Sequence, residues 1–154
     1  MKKITAMLLA LMMVMSLCAC GASESAAPAA ADAYTVGVCQ LMEHESLDKA
    51  TQGFIDALTA DLEAAGKSVK VDTQVAGEAN LCTTVINTFT AKKVDLIMAN
   101  ATPALLAAAN ATTTIPVLGT SVTDYNDTFA GSIPANVSGT SDAVPFEEQA
   151  TGNC

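Results

Sequence analysis

Residues 94–103 read VDLIMANATP, and this stretch decides the fold class. Residues 94–99 form an apolar run of the kind found in strands that are buried inside parallel sheets. Thr102 and Pro103 then make a strong helix start, because a hydroxyl can cap the helix and proline at its beginning loses no hydrogen bond. A buried strand that leads directly into a helix predicts one unit of a parallel α/β sheet.

The same alternation of strand and helix continues on both sides of this stretch. The predicted strands are residues 34–39, 69–75, 94–99 and 116–119, with one more possible short strand around Val137. The predicted helices are residues 46–65, the segment from Asn80 to Lys93, and residues 102–110. Alternating elements imply right-handed crossovers, and we expect a doubly wound parallel sheet in the flavodoxin-like order 2-1-3-4.

Two details of the helices follow from local signals. Ser46 is expected to cap the first helix, and Gly66 to end it in the left-handed conformation. In the second helix, the apolar residues that recur at helical spacing are expected to face inward, namely Leu81, Val85, Ile86 and Phe89.

The charge of the chain excludes some classes of partner. The formal net charge is −9, and the sequence contains no arginine. Nucleic-acid binding needs a basic surface that neutralises phosphates, so we expect no nucleic-acid partner. The sequence also has no phosphate-binding glycine motif and no clustered metal-ligand pattern, so we expect neither a cofactor nor a metal ion.

The N-terminus is typical of an exported lipoprotein. Residues 1–19 combine two lysines with an apolar run of signal-peptide length, too short to span a membrane. The run ends in LCACG, residues 17–21, in which Cys20 follows a small residue as lipidation requires. An ordinary secretory signal that contains cysteines is the alternative. Residues 20–33 are rich in alanine, serine and proline and predict a flexible tether from a membrane anchor on the extracytoplasmic face.

Three cysteines remain after the signal peptide and the lipidation site: Cys39, Cys82 and Cys154. Cys39 and Cys82 are expected at the same edge of the sheet, one at a strand end and the other in the first turn of a helix. Export permits a disulfide between them, and two separate buried thiols are the alternative.

A ligand is expected where the carboxyl ends of the parallel strands meet, at the switch in strand order. Three predicted helices begin at that edge, at Ser46, Asn80 and Thr102, and their N-termini favour an anion. The Thr102 hydroxyl, with the N–H groups of Ala104 and Leu105, is the candidate cradle for a solute carboxylate. Plain capping is the alternative role of Thr102.

The remaining candidate ligand residues lie in the loops of the same edge. Asp124 is the candidate partner of an α-ammonium group, with a solvated turn as its alternative. Gln40 and Ser121 can supply neutral hydrogen bonds, and Thr123 belongs to the same polar segment. His44 is a candidate polar residue of the cleft, or else an exposed loop residue.

An enzyme is the remote alternative, with Cys39 as nucleophile and His44, the single histidine, as base. Nothing at a recognisable spacing supplies the third, orienting group. A buried thiol at a strand end is also an ordinary core residue. We therefore expect no catalysis.

Several blocks of this sequence occur in an order that resembles one known family. The blocks are residues 37–40, 44–48, 50–54, 95–104, 119–124 and 136–142. Together they are similar to the N-terminal half of the ABC transporter substrate-binding family whose characterised members capture aromatic amino acids such as tryptophan. The resemblance covers nearly all of residues 34–149. It implies one lobe of a type-I periplasmic-binding-protein clamshell, in which a ligand is trapped between two α/β lobes.

The resemblance also implies a domain organisation and a function. Residues 34–142 would be the N-terminal ligand-binding lobe, and residues 143–154 the start of a second lobe that is cut short. The expected function is capture of a small amino-acid-like solute for the permease of an ABC importer. The alternative is a truncated gene fragment without a transport role.

Overall fold

The computed structural model describes residues 33–143. The predicted signal peptide, Cys20, the tether up to residue 32 and Cys154 lie outside the described residues, as does the segment 144–154. Within the described range, no helix is long and apolar enough to cross a membrane.

One parallel sheet organises the described residues. Its strands are β1 (Ala33–Gln40), β2 (Ser68–Val75), β3 (Leu96–Asn100), β4 (Val117–Val122) and β5 (Val137–Ser141). The strand order is β2-β1-β3-β4-β5, and every neighbouring pair is parallel. The predicted order 2-1-3-4 is confirmed, and the possible strand around Val137 is β5, which extends the sheet beside β4.

The α-helices in residues 33–143 are α1 (Glu45–Ala64), α2 (Cys82–Lys92), α3 (Thr102–Ala111) and α4 (Tyr125–Thr128). Gly66 has a φ of 70°, as expected of the residue that ends the first helix. The predicted start of the second helix is wrong, because a 3₁₀ turn (Ala79–Leu81) precedes α2. This turn leaves Leu81 45% exposed, and Cys82 is buried in its place.

Helices cover the sheet on both faces. On one face, Phe54 and Leu58 of α1 pack against the buried residues Val36, Val38 and Met98. On the other face, α2 and α3 contribute buried residues to a larger core that includes Ile86, Phe89, Leu105, Ala108, Ile97 and Val117. Buried strands between two helical layers confirm the predicted α/β fold class.

Candidate functional site

The carboxyl ends of the three central strands meet at one edge of the sheet. Gln40 at the end of β1 pairs with Asn100 at the end of β3, and Asn100 pairs with Thr120 on β4. The backbone N–H of Ala101 donates to the carbonyl of Thr120 over 2.9 Å, which joins the end of β3 to β4. Since α1 and α3 begin in the loops that follow β1 and β3, their N-termini lie at this edge.

The side chain of Gln40 holds the loop between β1 and α1 in place. Its side chain is buried, with 2% exposed. Its amide nitrogen donates to the carbonyl of Met42 at 2.8 Å and to the carboxylate of Asp48 at 2.6 Å. Its amide oxygen accepts from the Thr51 hydroxyl at 2.7 Å. These contacts give Gln40 a structural role, and its contact with a ligand stays a prediction.

His44 is the N-cap of α1, so the predicted cap at Ser46 is wrong. The imidazole Nδ1 accepts from the backbone N–H of Ser46 at 3.3 Å and lies 2.8 Å from the Ser46 hydroxyl. The extended backbone of His44, with φ of −161° and ψ of 133°, places it before the first helical residue, whereas Ser46 already has helical geometry. His44 is exposed in the loop between β1 and α1.

Cys39 lies beside Cys82 in the core beneath this edge, and both are buried free thiols. The structure therefore has the two unbridged thiols that the sequence allowed as one alternative. Burial first, and the neighbouring Cys82 second, raise the pKa of Cys39 to about 12. Burial also raises the pKa of Cys82. A thiol that holds its proton so strongly is a poor nucleophile, and the contacts of His44 are with Ser46, so the geometry does not support a Cys39–His44 catalytic pair.

The helix α3 begins at Thr102 as predicted, but its cap differs from the predicted one. Thr102 is the first helical residue, and Ala101 is the N-cap, with a φ of 90°. The chain turns as it leaves the buried end of β3, and the residue with the positive φ is Ala101, one residue before Thr102. The N–H of Leu105 donates to the carbonyl of Ala101 at 3.1 Å, so it is not available for the predicted carboxylate cradle. The half-buried Thr102 stays at the edge.

The loop after β4 contains the other predicted residues. Ser121 has a φ of 56° and lies in an irregularity of the β4–β5 pairing. Thr123 is exposed, and its carbonyl accepts from the Ser141 hydroxyl at 2.6 Å. Asp124 caps α4, accepting from the N–H of Asp127 at 3.0 Å. The structure thus brings these residues to the predicted edge, and their contacts with a ligand stay predictions.

The part played by Asn100 was not predicted from the sequence, where this residue directly follows the predicted strand 94–99. The side chain is fully buried, and its nitrogen donates to the Leu47 carbonyl at 2.8 Å and the Thr51 hydroxyl at 3.0 Å. Its oxygen has no hydrogen-bond partner within the described part of the chain. The available signal was an amide that ends an otherwise apolar strand.

A parallel sheet with polar loops and two helix N-termini at its carboxyl edge defines a ligand-binding α/β lobe. The family model described as ABC transporter substrate binding protein matches residues 35–151. The chain belongs to this family.

Relatives of known description agree with this assignment. A tyrosine-binding protein of Clostridioides difficile (strain R20291) is 41% identical over 121 residues, which are 73% of this chain and 34% of the relative. A ligand-free, open substrate-binding protein with adhesive properties from Clostridium difficile is 36% identical with a TM-score of 0.66, over 75% of this chain and 41% of that one. An ABC domain in complex with L-Trp from Streptococcus pneumonia is 32% identical with a TM-score of 0.63, over 71% and 39% of the two chains.

The chain therefore spans about a third of the length of the curated relative and about two-fifths of the solved chains. The described residues correspond to one α/β lobe of these proteins.

Proposed function

We propose that this chain captures an amino acid, with aromatic amino acids as the first candidates, for an ABC importer. The observation that carries the proposal is the convergence of the β1, β3 and β4 loops at one edge of the sheet, in a chain that belongs to the substrate-binding family. Two relatives, a tyrosine-binding protein and an ABC domain in complex with L-Trp, support an aromatic amino acid.

The start of α3 is the proposed position of the solute carboxylate. The N–H groups of Thr102 and Ala104 fall in the first turn of a ten-residue helix, and such groups have no acceptor inside the helix. The positive end of the helix dipole adds to the attraction for an anion. The net charge of −9 repels an anion, so the attraction for the carboxylate must come from the local positive potential at the start of α3.

Attachment to the membrane through an acylated Cys20 is a further part of the proposal. Its support is the LCACG segment at residues 17–21, which follows an apolar run of signal-peptide length. Mass spectrometry of the membrane fraction is expected to find an acylated peptide that begins at Cys20. A Cys20→Ser variant should leave the membrane fraction, whereas Cys18→Ser should remain in it. A mature protein that begins elsewhere would contradict this part of the proposal.

Thermal unfolding with each of the twenty amino acids tests the capture function. We expect a dissociation constant of about millimolar, because one lobe covers only part of a ligand. About 10 mM L-tryptophan then stabilises the fold by about 1.4 kcal/mol, a rise of several degrees in Tm. Charged amino acids at the same concentration are the control. Equal shifts for all twenty, or no shift at all, would contradict the proposed function.

A further inference from the structure

Asn100 ends β3 with a buried acceptor that lacks a donor. The residue is fully buried on the same face of the sheet as Met98, two residues earlier, which is the face that α1 covers. The side-chain nitrogen uses both of its hydrogens, on the Leu47 carbonyl and on the Thr51 hydroxyl. The side-chain oxygen has no partner in the described residues, and a buried polar atom in that state is destabilising.

The orientation of this amide is fixed by its neighbours. The Leu47 carbonyl can only accept, so the atom 2.8 Å from it must be the amide nitrogen of Asn100. The one hydroxyl hydrogen of Thr51 goes to the oxygen of Gln40, so Thr51 can only accept from Asn100. A flipped amide would place two acceptors against each other. The unpartnered atom is therefore the oxygen.

These hydrogen bonds form a chain with a single direction. Asn100 donates to Thr51, Thr51 donates to Gln40, and Gln40 donates to the carboxylate of Asp48. Bonds aligned in this way polarise one another, and every positive end points toward the carboxylate. The negative end of the chain is the Asn100 oxygen. The group that completes it must be a hydrogen-bond donor, and a positively charged donor fits best.

Asn100 is buried beside a residue that lines accessible space. Thr120, its partner in the β3–β4 register, is half-buried and lines an open groove of about 450 Å³. Phe54, Met98 and Leu118 line the same groove and provide apolar walls of the kind that suit an aromatic side chain. The start of α3, the proposed position of the carboxylate, follows Asn100 by two residues.

We propose that the side-chain oxygen of Asn100 accepts a hydrogen bond from the ammonium group of the bound amino acid and so determines specificity for amino acids over the corresponding deamino acids. This inference rests on the proposed function. It assigns the ammonium to a neutral buried acceptor on β3, and Asp124, predicted for this role, is left as the cap of α4.

A comparison of two ligands against three proteins tests the inference. The ligands are L-tryptophan and indole-3-propanoate, which lacks the ammonium group. The proteins are the unmodified chain, Asn100→Leu, and the control Thr51→Val, which removes a neighbouring hydroxyl and keeps the Asn100 oxygen. We expect the unmodified chain to bind L-tryptophan at least about tenfold more tightly than indole-3-propanoate, as a hydrogen bond to a charged group implies. Asn100→Leu should remove this preference, and Thr51→Val should keep most of it.

A spectroscopic measurement on the unmodified chain makes the test independent of whether Asn100→Leu folds. The side-chain amide resonances of Asn100 should shift on addition of L-tryptophan and stay in place on addition of indole-3-propanoate. If Asn100→Leu weakens both ligands equally, or if both ligands shift the resonances equally, the inference is wrong while the proposed function stands. If the unmodified chain binds no amino acid, the proposed function fails as well.

Discussion

The two buried cysteines, Cys39 and Cys82, should react slowly with thiol reagents. Because Cys39 is fully buried and burial raises its pKa to about 12, its thiolate is much scarcer at pH 8 than that of an ordinary cysteine. We expect a thiol reagent to modify Cys39 and Cys82 far more slowly in the folded chain than in urea, as read by peptide mass mapping. Comparable rates in the two conditions would show that these thiols are accessible.

Asp95 predicts how the free energy of unfolding depends on pH. Its carboxylate accepts from the backbone N–H of Thr35 at 2.7 Å and from the Thr35 hydroxyl at 2.9 Å, and these bonds lower its pKa. A lowered pKa in the folded state contributes stability above the unfolded pKa, and this contribution is lost as pH falls through the folded value.

Urea unfolding of Asp95→Asn and of the unmodified chain at pH 7 and about pH 3 measures this contribution. The variant should be less stable at pH 7, and its stability should fall less on acidification, since the substituted amide has no proton to gain. The same pH dependence in both proteins would mean that the Thr35 contacts do not hold in solution.

Helices and strands were predictable where one local signal was sufficient. Apolar runs predicted β1 and β3, alternation of apolar and polar residues predicted β2, and a glycine predicted the end of α1. The alternation of strands and helices along the chain predicted the sheet order. The capping residues of α1 and α3 were not predictable, because a cap depends on the backbone path of the preceding loop. That path makes His44 and Ala101 the caps, where serine and threonine were expected.

The contact between β1 and α2 depends on a glycine. A Cβ atom at Gly37 would lie 2.5 Å from the ring of Phe89, and that ring is fully buried. Gly37→Ala should therefore lower the free energy of unfolding by about 1–3 kcal/mol. Urea unfolding measures this loss.

Gly53 provides the matched control for this substitution. It lies in the interior of α1, is exposed, and has no atom within 4 Å of a Cβ built upon it. Gly53→Ala should stabilise the chain by about 0.5–1 kcal/mol, because alanine loses less conformational freedom in a helix. Destabilisation by both substitutions to the same extent would contradict the packing described for β1 and α2.

For the molecule as a whole, the sequence predicted which loops share one edge of the sheet but not the contacts among their residues. The parallel order placed the polar loops at one edge, as the register of β1, β3 and β4 confirms. The unpartnered oxygen of Asn100 could not be predicted, because it emerges only when every donor of Thr51 and Gln40 has been assigned. Such an assignment needs side-chain positions from α1 and β3 together.

We expect the described lobe, residues 33–143, to bind a solute weakly on its own. Formed pockets bury roughly 70–90% of a ligand, and the loops of one sheet edge supply a single wall. If a two-lobed relative binds at about micromolar, near −8 kcal/mol, loss of a third of that free energy leaves a dissociation constant near millimolar. Binding at sub-micromolar concentration by a monomer of this chain would contradict this account.

We propose to titrate the isotopically labelled chain with L-tryptophan and to follow its backbone amide resonances. This measurement shows directly whether the loops at the carboxyl edge of the sheet bind the amino acid. We expect the amides of residues 41–46, 100–102, 104 and 120–124 to shift, with a dissociation constant near millimolar, while those of Thr35 and Asp95 at the opposite edge of the sheet stay in place. Shifts confined to the opposite edge, or no shifts at any concentration, would contradict this expectation.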